Sequence, residues 1–551
     1  MNIADLVRHW GRTRPAQDAI AFAGTYQSWS EFDRATDALA RGLATRGVTK
    51  GDRVAVMMLN CPELAQIMIA TVKLGAICVP LNFRLTGHEL APMIVDSAPK
   101  VVVVEDMFAG LLDIAAAAAE FEVVNLGGAG HLPFTALVDP GPAPAVTIEP
   151  DDPAFICYPS GTTGVQKGAL LTHRNAITPG ISQTITYGIS ASDRVMCSAP
   201  LVYTGSVMSI FIQLVLVPGA TMVLLRDFDP EIALDTFERE RVTATTTVPV
   251  IWERIAALPD FGKRTLAEFT FAGTGGAPVS DHLIETYRAQ GIPLIQVYGL
   301  TEASGMVATL SPADAADHPG YAGLALVGTE IRIGDADNRT VPAGEVGEIL
   351  VKGEHVMSGY WNNPRATADT LVDGWLRTGD LGFVDERGFL KIVDRSKDML
   401  ISGGLNVYPA EIESALHAID GLLDYAVIGV KDERWGEVPM VVFHSDRDPS
   451  AIVADIATTA QQSLARFKRP RHAVVLDEPL PRSWPKHSCG SASRPHRRRR
   501  CRSIRRPTAF RRSKADVRVP AQRGSSDGTR NCRSLRRNRS IASGLSSSCP
   551  M

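Results

Sequence analysis

YPSGTTGVQKGALLTHRN, residues Tyr158–Asn175, contains a run of small residues that interrupts regular apolar patterns on both sides. The run predicts a turn, because glycine and hydroxyl side chains are poorly suited to the interior of a helix or a strand. Glycine lets backbone N–H groups approach a polyanion, while hydroxyls and Lys167 add donors and positive charge. The turn is therefore either a solvent-exposed loop or a phosphate-binding loop, although it lacks the Gly-Lys-Ser/Thr of a P-loop. Its members are Ser160, Gly161, Thr162, Thr163 and Gly164.

The segments around this turn alternate between strand-like and helical patterns. Asp52–Leu59 and Lys100–Asp106 are apolar runs with the length of buried strands, and Phe32–Leu43 places apolar residues at helical spacing. This alternation predicts an α/β fold with layered, mostly parallel sheets in a large N-terminal domain. After Asp394 a further strand pattern, Val438–His444, predicts a small α+β C-terminal domain.

Length and charge divide the chain further. A chain of 551 residues is too long for one core, so we expect at least two domains. The net charge of −3 hides 17 Arg and 2 Lys against 2 Asp from residue 485 onward, whereas the residues before it carry 58 acidic and 38 basic side chains. We therefore expect a large domain at 1–394, a small domain at 395–482, and a basic, low-complexity, disordered tail at 483–551.

Several classes of protein are disfavoured by composition. The N-terminus has no apolar signal segment, and no run of about 18 apolar residues is present to cross a membrane. The eight cysteines show neither metal-ligand spacing nor a disulfide pattern, which favours a reducing, cytoplasmic environment. With no apolar run of spanning length, we expect no integral membrane segment. The arginines of the tail leave a nucleic-acid-binding role open as an alternative. We nevertheless expect no nucleic-acid partner, because the tail lacks interleaved aromatic residues and helical periodicity.

Five motifs, in one order, resemble those of the adenylate-forming (AMP-binding) superfamily of acyl-CoA synthetases, peptide-synthetase adenylation domains and luciferases. The turn within Tyr158–Asn175 is similar to the phosphate loop of that family. The other motifs are GTGGAPVS (Gly273–Ser280), VYGLTEASG (Val297–Gly305), GWLRTGDLG (Gly374–Gly382) and DRSKDMLISGGLNVYPAEIESAL (Asp394–Leu416). The resemblance covers residues 1 to about 482 and points to the fatty-acid–CoA ligase branch.

The resemblance implies a site for ATP and Mg²⁺. Lys167, Thr301 and Glu302 would act on the phosphates as catalytic residues, and Glu302 together with Thr163 would bind Mg²⁺, which prefers oxygen ligands. The adenine, ribose and nearby phosphate groups would contact Gly276, Ala277, Pro278, Tyr298, Gly299, Asp380 and Arg395.

The same resemblance implies a mobile small domain and a second substrate, CoA. Lys397 lies at the family's hinge position, and Gly403 and Gly404 would line the pantetheine tunnel. The implied reaction has two halves: a carboxylate attacks the α-phosphate of ATP, and a thiol then attacks the acyl adenylate. An acyl-AMP ligase that supplies a carrier protein and a luciferase-like enzyme are alternatives in the same fold. The chain could also act as a homodimer, and we keep this as one possible oligomeric state.

APLVYTGSV (Ala199–Val207) resembles the segment beside the acyl pocket of the family. No Asp follows as far as Gln213, and a substrate ammonium buried without a partner would be costly, which disfavours an amino acid. We expect a small-molecule apolar carboxylic acid, specifically a fatty acid, and therefore a role in lipid metabolism. The run Asp432–Glu437 resembles CoA ligases and favours CoA as the acceptor. The predicted pocket residues are Tyr203, Val207 and Met208.

The chain departs from the family pattern after Leu480-Pro481-Arg482. The family continues with Gly-Lys, and this lysine holds the carboxylate and the α-phosphate during adenylation, but SWPKH (Ser483–His487) lacks the pair. Trp484-Pro485 is encoded TGGCCN, and a shifted reading of these bases contains the alanine codon GCC followed by NAA, which includes lysine. We hypothesise a change of reading frame near Ser483 and expect impaired adenylation. A selected extension, or substitution by Lys486, is the alternative.

Overall fold

The computed structural model describes residues 1–480 except 128–129, 160–165, 267–268, 278, 316, 397, 403–404 and 433–434, and it also describes residues 517–518. The predictions for the tail at 483–551 therefore lie outside the described residues, apart from that pair. The predictions for the following residues also lie outside them: Ser160, Gly161, Thr162, Thr163, Gly164, Pro278, Lys397, Gly403, Gly404 and Lys486.

Most helices begin at a side chain that caps their free N–H groups or at a proline. Asn2, Ser28 and Thr172 form capping boxes, in which the cap and the third helical residue satisfy each other's backbone. The α-helices are α1 (Ile3–Thr13), α2 (Trp29–Thr45), α3 (Pro62–Lys73), α4 (Gly87–Ser97), α5 (Asp113–Ala116), α6 (His173–Tyr187), α7 (Pro230–Arg239), α8 (Pro249–Ala256), α9 (Asp281–Arg288), α10 (Pro364–Thr370), α11 (Pro409–Leu416) and α12 (Pro449–Ser463). A π-helix spans Gly205–Leu216, and 3₁₀ turns span Asp106–Leu112, Phe134–Leu137, Phe261–Lys263 and Thr301–Ala303.

The strands are short and lie mostly between helices in the first 300 residues. They are β1 (Asp18–Phe22), β2 (Thr25–Ser28), β3 (Arg53–Met57), β4 (Ile77–Pro80), β5 (Val101–Glu105), β6 (Glu122–Leu126), β7 (Leu132–Pro133), β8 (Pro153–Cys157), β9 (Ala169–Thr172), β10 (Arg194–Cys197), β11 (Thr221–Leu224), β12 (Ala244–Thr247), β13 (Phe271–Thr274), β14 (Leu294–Leu300), β15 (Gly305–Thr309), β16 (Leu324–Ala325), β17 (Thr329–Gly334), β18 (Gly347–Gly353), β19 (Gly359–Tyr360), β20 (Leu371–Val372), β21 (Trp375–Val384), β22 (Leu390–Arg395), β23 (Leu400–Ser402), β24 (Leu405–Val407), β25 (Asp424–Asp432), β26 (Gly436–His444), β27 (His472–Val475) and β28 (Val517–Arg518).

Two large sheets with parallel centres form the body of the protein. One has the order β16-β15-β14-β13-β12-β10-β11-β1-β2 and is parallel from β14 to β1. The other has the order β19-β9-β8-β4-β3-β5-β6-β7 and is parallel from β8 to β7. Their central strands are buried on both faces, as parallel strands between helices require. The prediction of a layered α/β fold is confirmed.

Two smaller sheets complete the described part. An antiparallel sheet of β17, β18, β20, β21 and β22 carries the polar residues of the GWLRTGDLG motif. The last sheet, ordered β24-β23-β26-β27-β28 with β25 on β26, packs with α11 and α12 around its own apolar cluster, which includes Val427, Phe443 and Ile456. The protein thus has a large N-terminal domain and a small α+β C-terminal domain.

The buried strands predicted from apolar runs are present within a residue or two of their expected bounds. Val101–Glu105 lies inside the predicted run Lys100–Asp106, and α2 is longer than predicted because Ser28 caps it. Within the described residues, no helix is both long enough and apolar enough to cross a membrane.

Candidate active site

Strand β14 ends in a tight turn whose shape depends on glycine. A β-carbon at Gly299 would lie 1.6 Å from the carbonyl oxygen of Gly305, so no other residue fits there without moving the turn. Ser304 has φ of +54°, and its hydroxyl donates to the carbonyl oxygen of His355 at 2.9 Å. The backbone N–H of Met357 donates to the carbonyl oxygen of Glu302 at 2.8 Å. The turn that carries the predicted site residues Thr301 and Glu302 is therefore held from two sides.

Glu302 and Lys167 meet at a third residue, Tyr360. The Tyr360 hydroxyl donates to Glu302 Oε1 at 2.8 Å, and the Lys167 ammonium lies 5.2 Å from the centre of the Tyr360 ring. Burial, and then the Glu302 carboxylate, raise the pKa of Tyr360, so the phenol keeps its proton and acts as a donor. The structure thus brings two predicted catalytic residues together through a tyrosine that sequence analysis did not select.

The position of Tyr360 follows from strand pairing. Tyr360 pairs with Ala169 between β19 and β9, within the Tyr158–Asn175 stretch and just after its small-residue turn. The Trp361 N–H donates to the Gly168 carbonyl at 2.7 Å, and a β-carbon at Gly168 would lie 2.5 Å from Ile156 Cγ2. The segment that follows the small-residue turn is therefore held in place by hydrogen bonds to β19 and the residue after it. In the sequence, only an unremarkable Gly-Tyr pair marks this strand.

A second cluster joins the aromatic of β14 to the small sheet. The Tyr298 hydroxyl donates to Asp380 Oδ2 at 2.8 Å, and Arg395 Nε lies 3.3 Å from Asp380 Oδ1. Asp380 and Arg395 are also register partners on β21 and β22. Burial, with the nearby Asp380 charge, raises the pKa of Tyr298 well above its usual value. Three residues that the sequence places in separate motifs therefore form one contact group.

The glycine-rich GTGGAPVS motif lies at the carboxyl end of β13, next to β14. A β-carbon at Gly275 would lie 2.5 Å from the carbonyl oxygen of Val297. Only glycine can therefore occupy this position, where the motif runs directly alongside β14. Gly276 has φ of +78°, and both Gly276 and Ala277 are exposed to solvent. Carboxyl ends of parallel strands are the usual ligand-binding edge of an α/β sheet.

The predicted acyl-pocket residues lie on or beside the π-helix, a rare helix type often found at functional sites. Val207 and Met208 are fully buried on it, whereas Tyr203 precedes it and its hydroxyl lies 3.4 Å from Asn82 Oδ1. Gln213 is also buried there and donates from Nε2 to the Ser304 carbonyl oxygen at 2.6 Å. The pocket helix therefore touches the turn that bears Glu302.

Asn60 was missed by sequence analysis although it holds the segment before the π-helix. Its amide donates to the carbonyl oxygens of Ala199 and Leu225, each at 2.9 Å, and its oxygen accepts from the Leu201 N–H at 2.6 Å. A buried asparagine with three such bonds fixes the loop Ala199–Leu201 against the start of α3. No spacing in the sequence identified it.

The metal-binding potential of the site rests on few protein ligands. In the described part of the chain, no group of three or more His, Cys, Asp or Glu side chains could hold an ion. Glu302 is a half-buried carboxylate with one oxygen bonded to Tyr360. This arrangement fits Mg²⁺, which is commonly bound by one or two carboxylates together with substrate phosphates and water.

The remaining reactive side chains of the body are unsuited to nucleophilic chemistry. Cys61, Cys78, Cys157 and Cys197 are buried free thiols, and burial raises the pKa of Cys61, Cys157 and Cys197 to about 12. Burial lowers the pKa of His173 to about 4, and its Nδ1 accepts from the Ile3 N–H at 3.2 Å. The buried thiols are therefore poorly ionised at neutral pH, and the buried His173 ring is already engaged with the N-terminal helix.

Family comparison agrees with this geometry. The description "AMP-binding enzyme" matches residues 7–361, and "AMP-binding enzyme C-terminal domain" matches residues 411–484. The chain belongs to the AMP-binding enzyme family. As a family member it is an AMP-forming acid–thiol ligase, with ATP, Mg²⁺ and CoA as its cofactor and co-substrates.

Individual members of the AMP-binding family share about a third of their residues with this chain. It is 35% identical to indoleacetate–CoA ligase of Aromatoleum aromaticum over 88% of this chain and 96% of that protein. It is 37% identical to feruloyl-CoA synthase of an Amycolatopsis species over 85% and 93%. It is 34% identical to a long-chain-fatty-acid–CoA ligase of Mycobacterium tuberculosis over 88% and 96%.

Solved structures of AMP-binding enzymes have the same fold. ATP-bound MatB from Rhodopseudomonas palustris superposes with a TM-score of 0.79 at 32% identity, covering 88% of this chain and 96% of that one. The o-succinylbenzoate–CoA synthetase of Bacillus subtilis, in complex with ATP and a magnesium ion, gives 0.78 at 28% identity, covering 87% and 96%.

Proposed function

We propose that this chain converts an apolar monocarboxylic acid into its CoA thioester through an acyl adenylate. The observation that carries the proposal is that the segment Tyr298–Glu302 reaches both polar clusters. Tyr298 contacts the Asp380–Arg395 pair, and Glu302 contacts Tyr360 beside Lys167. Tyr298, which contacts the carboxylate that would bind ribose, thus lies only four residues before Glu302, the carboxylate that would bind Mg²⁺.

The first half-reaction needs positioning and charge stabilisation rather than a protein nucleophile. We assign the phosphates to Lys167 and Thr301 together with the phosphate loop, the ribose to Asp380, and the metal to Glu302 with Thr163. Mg²⁺ would neutralise phosphate charge. An oxygen of the substrate carboxylate attacks the α-phosphorus, the bond to the β-phosphate oxygen breaks, and pyrophosphate leaves.

The second half-reaction transfers the acyl group to CoA. The CoA thiolate attacks the acyl carbonyl carbon, and AMP leaves with the electrons of the broken C–O bond. We assign Lys397 to the hinge that rearranges the small domain at 395–482 against the large domain at 1–394. Gly403 and Gly404 would admit the pantetheine arm.

The acid is proposed to be a fatty acid, because the predicted pocket residues Val207 and Met208 are apolar and no Asp follows Ala199 as far as Gln213. An aromatic acid is a second candidate. It is favoured by the names of two relatives, an indoleacetate–CoA ligase and a feruloyl-CoA synthase. A cytoplasmic location and a homodimeric state remain predictions from the sequence.

Adenylation by this chain is proposed to be impaired. The lysine that should follow Arg482 is missing, and a shift of reading frame near Ser483 accounts for its loss. Removing one preorganised donor from a site of developing charge typically costs about 10²–10³ in rate. Thioester formation from a preformed adenylate would be less affected, because the missing lysine acts in the first half-reaction.

The test measures the two half-reactions separately. Pyrophosphate release is measured with ATP and palmitate, phenylacetate or alanine, and thioester formation is measured with CoA and synthetic palmitoyl adenylate. We expect a repaired chain, in which the shifted frame restores the lysine, to release pyrophosphate about 10²–10³ times faster than this chain. Thioester formation should differ little between the two chains.

Each result bears on a different part of the proposal. Equal pyrophosphate release by both chains would contradict the account of the missing lysine. Faster release with alanine than with either apolar acid would contradict the assigned substrate class. A preference for phenylacetate over palmitate would replace the fatty acid with the second candidate.

A further inference from the structure

Tyr360 contacts two side chains of opposite charge. Its hydroxyl donates to Glu302 Oε1 at 2.8 Å, while the Lys167 ammonium lies over the ring at 5.2 Å from its centre. Among the described residues, no ion pair joins Lys167 to Glu302. The tyrosine is itself fixed, because its N–H donates to Thr367 Oγ1 at 2.9 Å and its strand pairs with β9.

Contact between these two charges would be harmful to a nucleotide site. At salt-bridge distance a lysine ammonium and a carboxylate attract each other, so the two side chains would tend to pair. A Lys167–Glu302 pair would compete with the binding of phosphate by Lys167 and with the binding of Mg²⁺ by Glu302. A tyrosine in contact with both side chains can prevent this pairing, because its ring attracts the lysine cation and its hydroxyl donates a hydrogen bond to the carboxylate.

We propose that Tyr360 is a positioning residue that keeps Lys167 and Glu302 apart and orients the Glu302 carboxylate for Mg²⁺. The proposal rests on the metal role assigned to Glu302 above. Its two parts depend on different atoms: the hydroxyl orients the carboxylate, and the ring separates the charges. Partners that hydrogen-bond a metal ligand typically change metal affinity by about 10–100-fold when removed.

The orientation part is tested with Tyr360→Phe, which keeps the ring and removes the hydroxyl. Binding of Mn²⁺ to the full chain is measured by electron paramagnetic resonance in the presence of α,β-methylene-ATP. We expect about 10-fold weaker Mn²⁺ binding or more in Tyr360→Phe. Tyr321→Phe is the matched control, because the Lys391 ammonium lies 5.1 Å from the centre of the Tyr321 ring outside the two clusters. The control should bind Mn²⁺ as the parent does.

The separation part is tested with Tyr360→Leu by calorimetric titration of α,β-methylene-ATP in the presence of EDTA. We expect the metal-free affinity to fall in Tyr360→Leu, because Lys167 then pairs with Glu302, and to remain unchanged in Tyr360→Phe. Adding Glu302→Gln to Tyr360→Leu should restore the affinity. Unchanged metal-free affinity in Tyr360→Leu, with a thermal midpoint equal to that of the parent, would overturn this part.

Glu302→Gln alone separates this inference from the proposed function. If Glu302→Gln binds Mn²⁺ as tightly as the parent, the metal role of Glu302 is wrong and the orientation part falls with it. If Glu302→Gln loses Mn²⁺ binding while Tyr360→Phe does not, the metal role stands and the orientation role of Tyr360 is wrong.

Discussion

Asp380 is held from two sides by residues of different motifs. Tyr298 donates to one carboxylate oxygen and Arg395 lies beside the other. We expect Asp380→Asn to raise the KM for ATP by about 10–100-fold, because a hydrogen bond to a charged group contributes roughly 1.5–3 kcal/mol. The KM for the acid should change much less. Initial rates of pyrophosphate release at varied ATP and varied acid measure both values.

A matched carboxylate serves as the control at this scale. Asp385 accepts from the N–H groups of Arg387 and Phe389, each at 2.9 Å, in the turn between β21 and β22. Asp385→Asn changes a charge on the same hairpin outside the two clusters and should leave the KM for ATP unchanged. An unchanged KM for ATP in Asp380→Asn would rule out its role in ribose binding.

At the scale of elements, helices α2 and α3 are joined by a buried lysine. The Lys73 ammonium lies 2.5 Å from Asp33 Oδ1 and 2.6 Å from Asp37 Oδ1, and its side chain is fully buried. Removing one partner from a buried ion pair typically costs about 3–5 kcal/mol, since it leaves charge without compensation. We expect Lys73→Ala to lower the free energy of unfolding by about 3 kcal/mol, measured by urea titration.

An exposed lysine provides the comparison for this pair of helices. Lys100 lies 3.2 Å from Asp52 Oδ2, and 45% of its side chain is exposed. Exposed pairs contribute about 0–1 kcal/mol, so Lys100→Ala should change stability by less than Lys73→Ala does. Similar losses in the two variants would mean that burial does not determine the strength of the α2–α3 contact.

At the scale of the whole molecule, two buried histidines are expected to make stability depend on pH. Burial lowers the pKa of His173 and of His355 to about 4, below the 6.5 of an unperturbed histidine. Between these values the unfolded chain binds protons that the folded chain does not. We therefore expect the contribution of these histidines to stability to be complete above about pH 6.5 and to be lost as the pH falls toward 4, by about 2 kcal/mol for each histidine at pH 5.

Urea unfolding at pH 7 and pH 5 measures this loss. His173→Gln cannot take up the proton and should lose about 2 kcal/mol less than the parent between the two pH values. His88→Gln, which changes an exposed histidine, should keep the full loss. A parent and a His173→Gln variant with the same pH dependence would show that His173 does not control acid stability.

Local sequence determined much of this protein. Apolar runs of strand length can be satisfied only in a buried sheet, so Arg53–Met57 and Val101–Glu105 follow directly from their residues. The motifs with Asp380 and Glu302 are recognised by their resemblance to a known family, since the isolated residues would be typical of ordinary turns. The small C-terminal domain also followed from its strand pattern.

Tertiary structure alone determined which of these residues touch. Tyr360 reaches Glu302 because β19 pairs with β9, and Asn60 holds Ala199–Leu201 because α3 starts beside that segment. These contacts join residues that are far apart along the chain, and no local spacing encodes such a distance. The register of a sheet depends on the packing of all its strands together, so a lone tyrosine or asparagine shows its role only after the chain has folded.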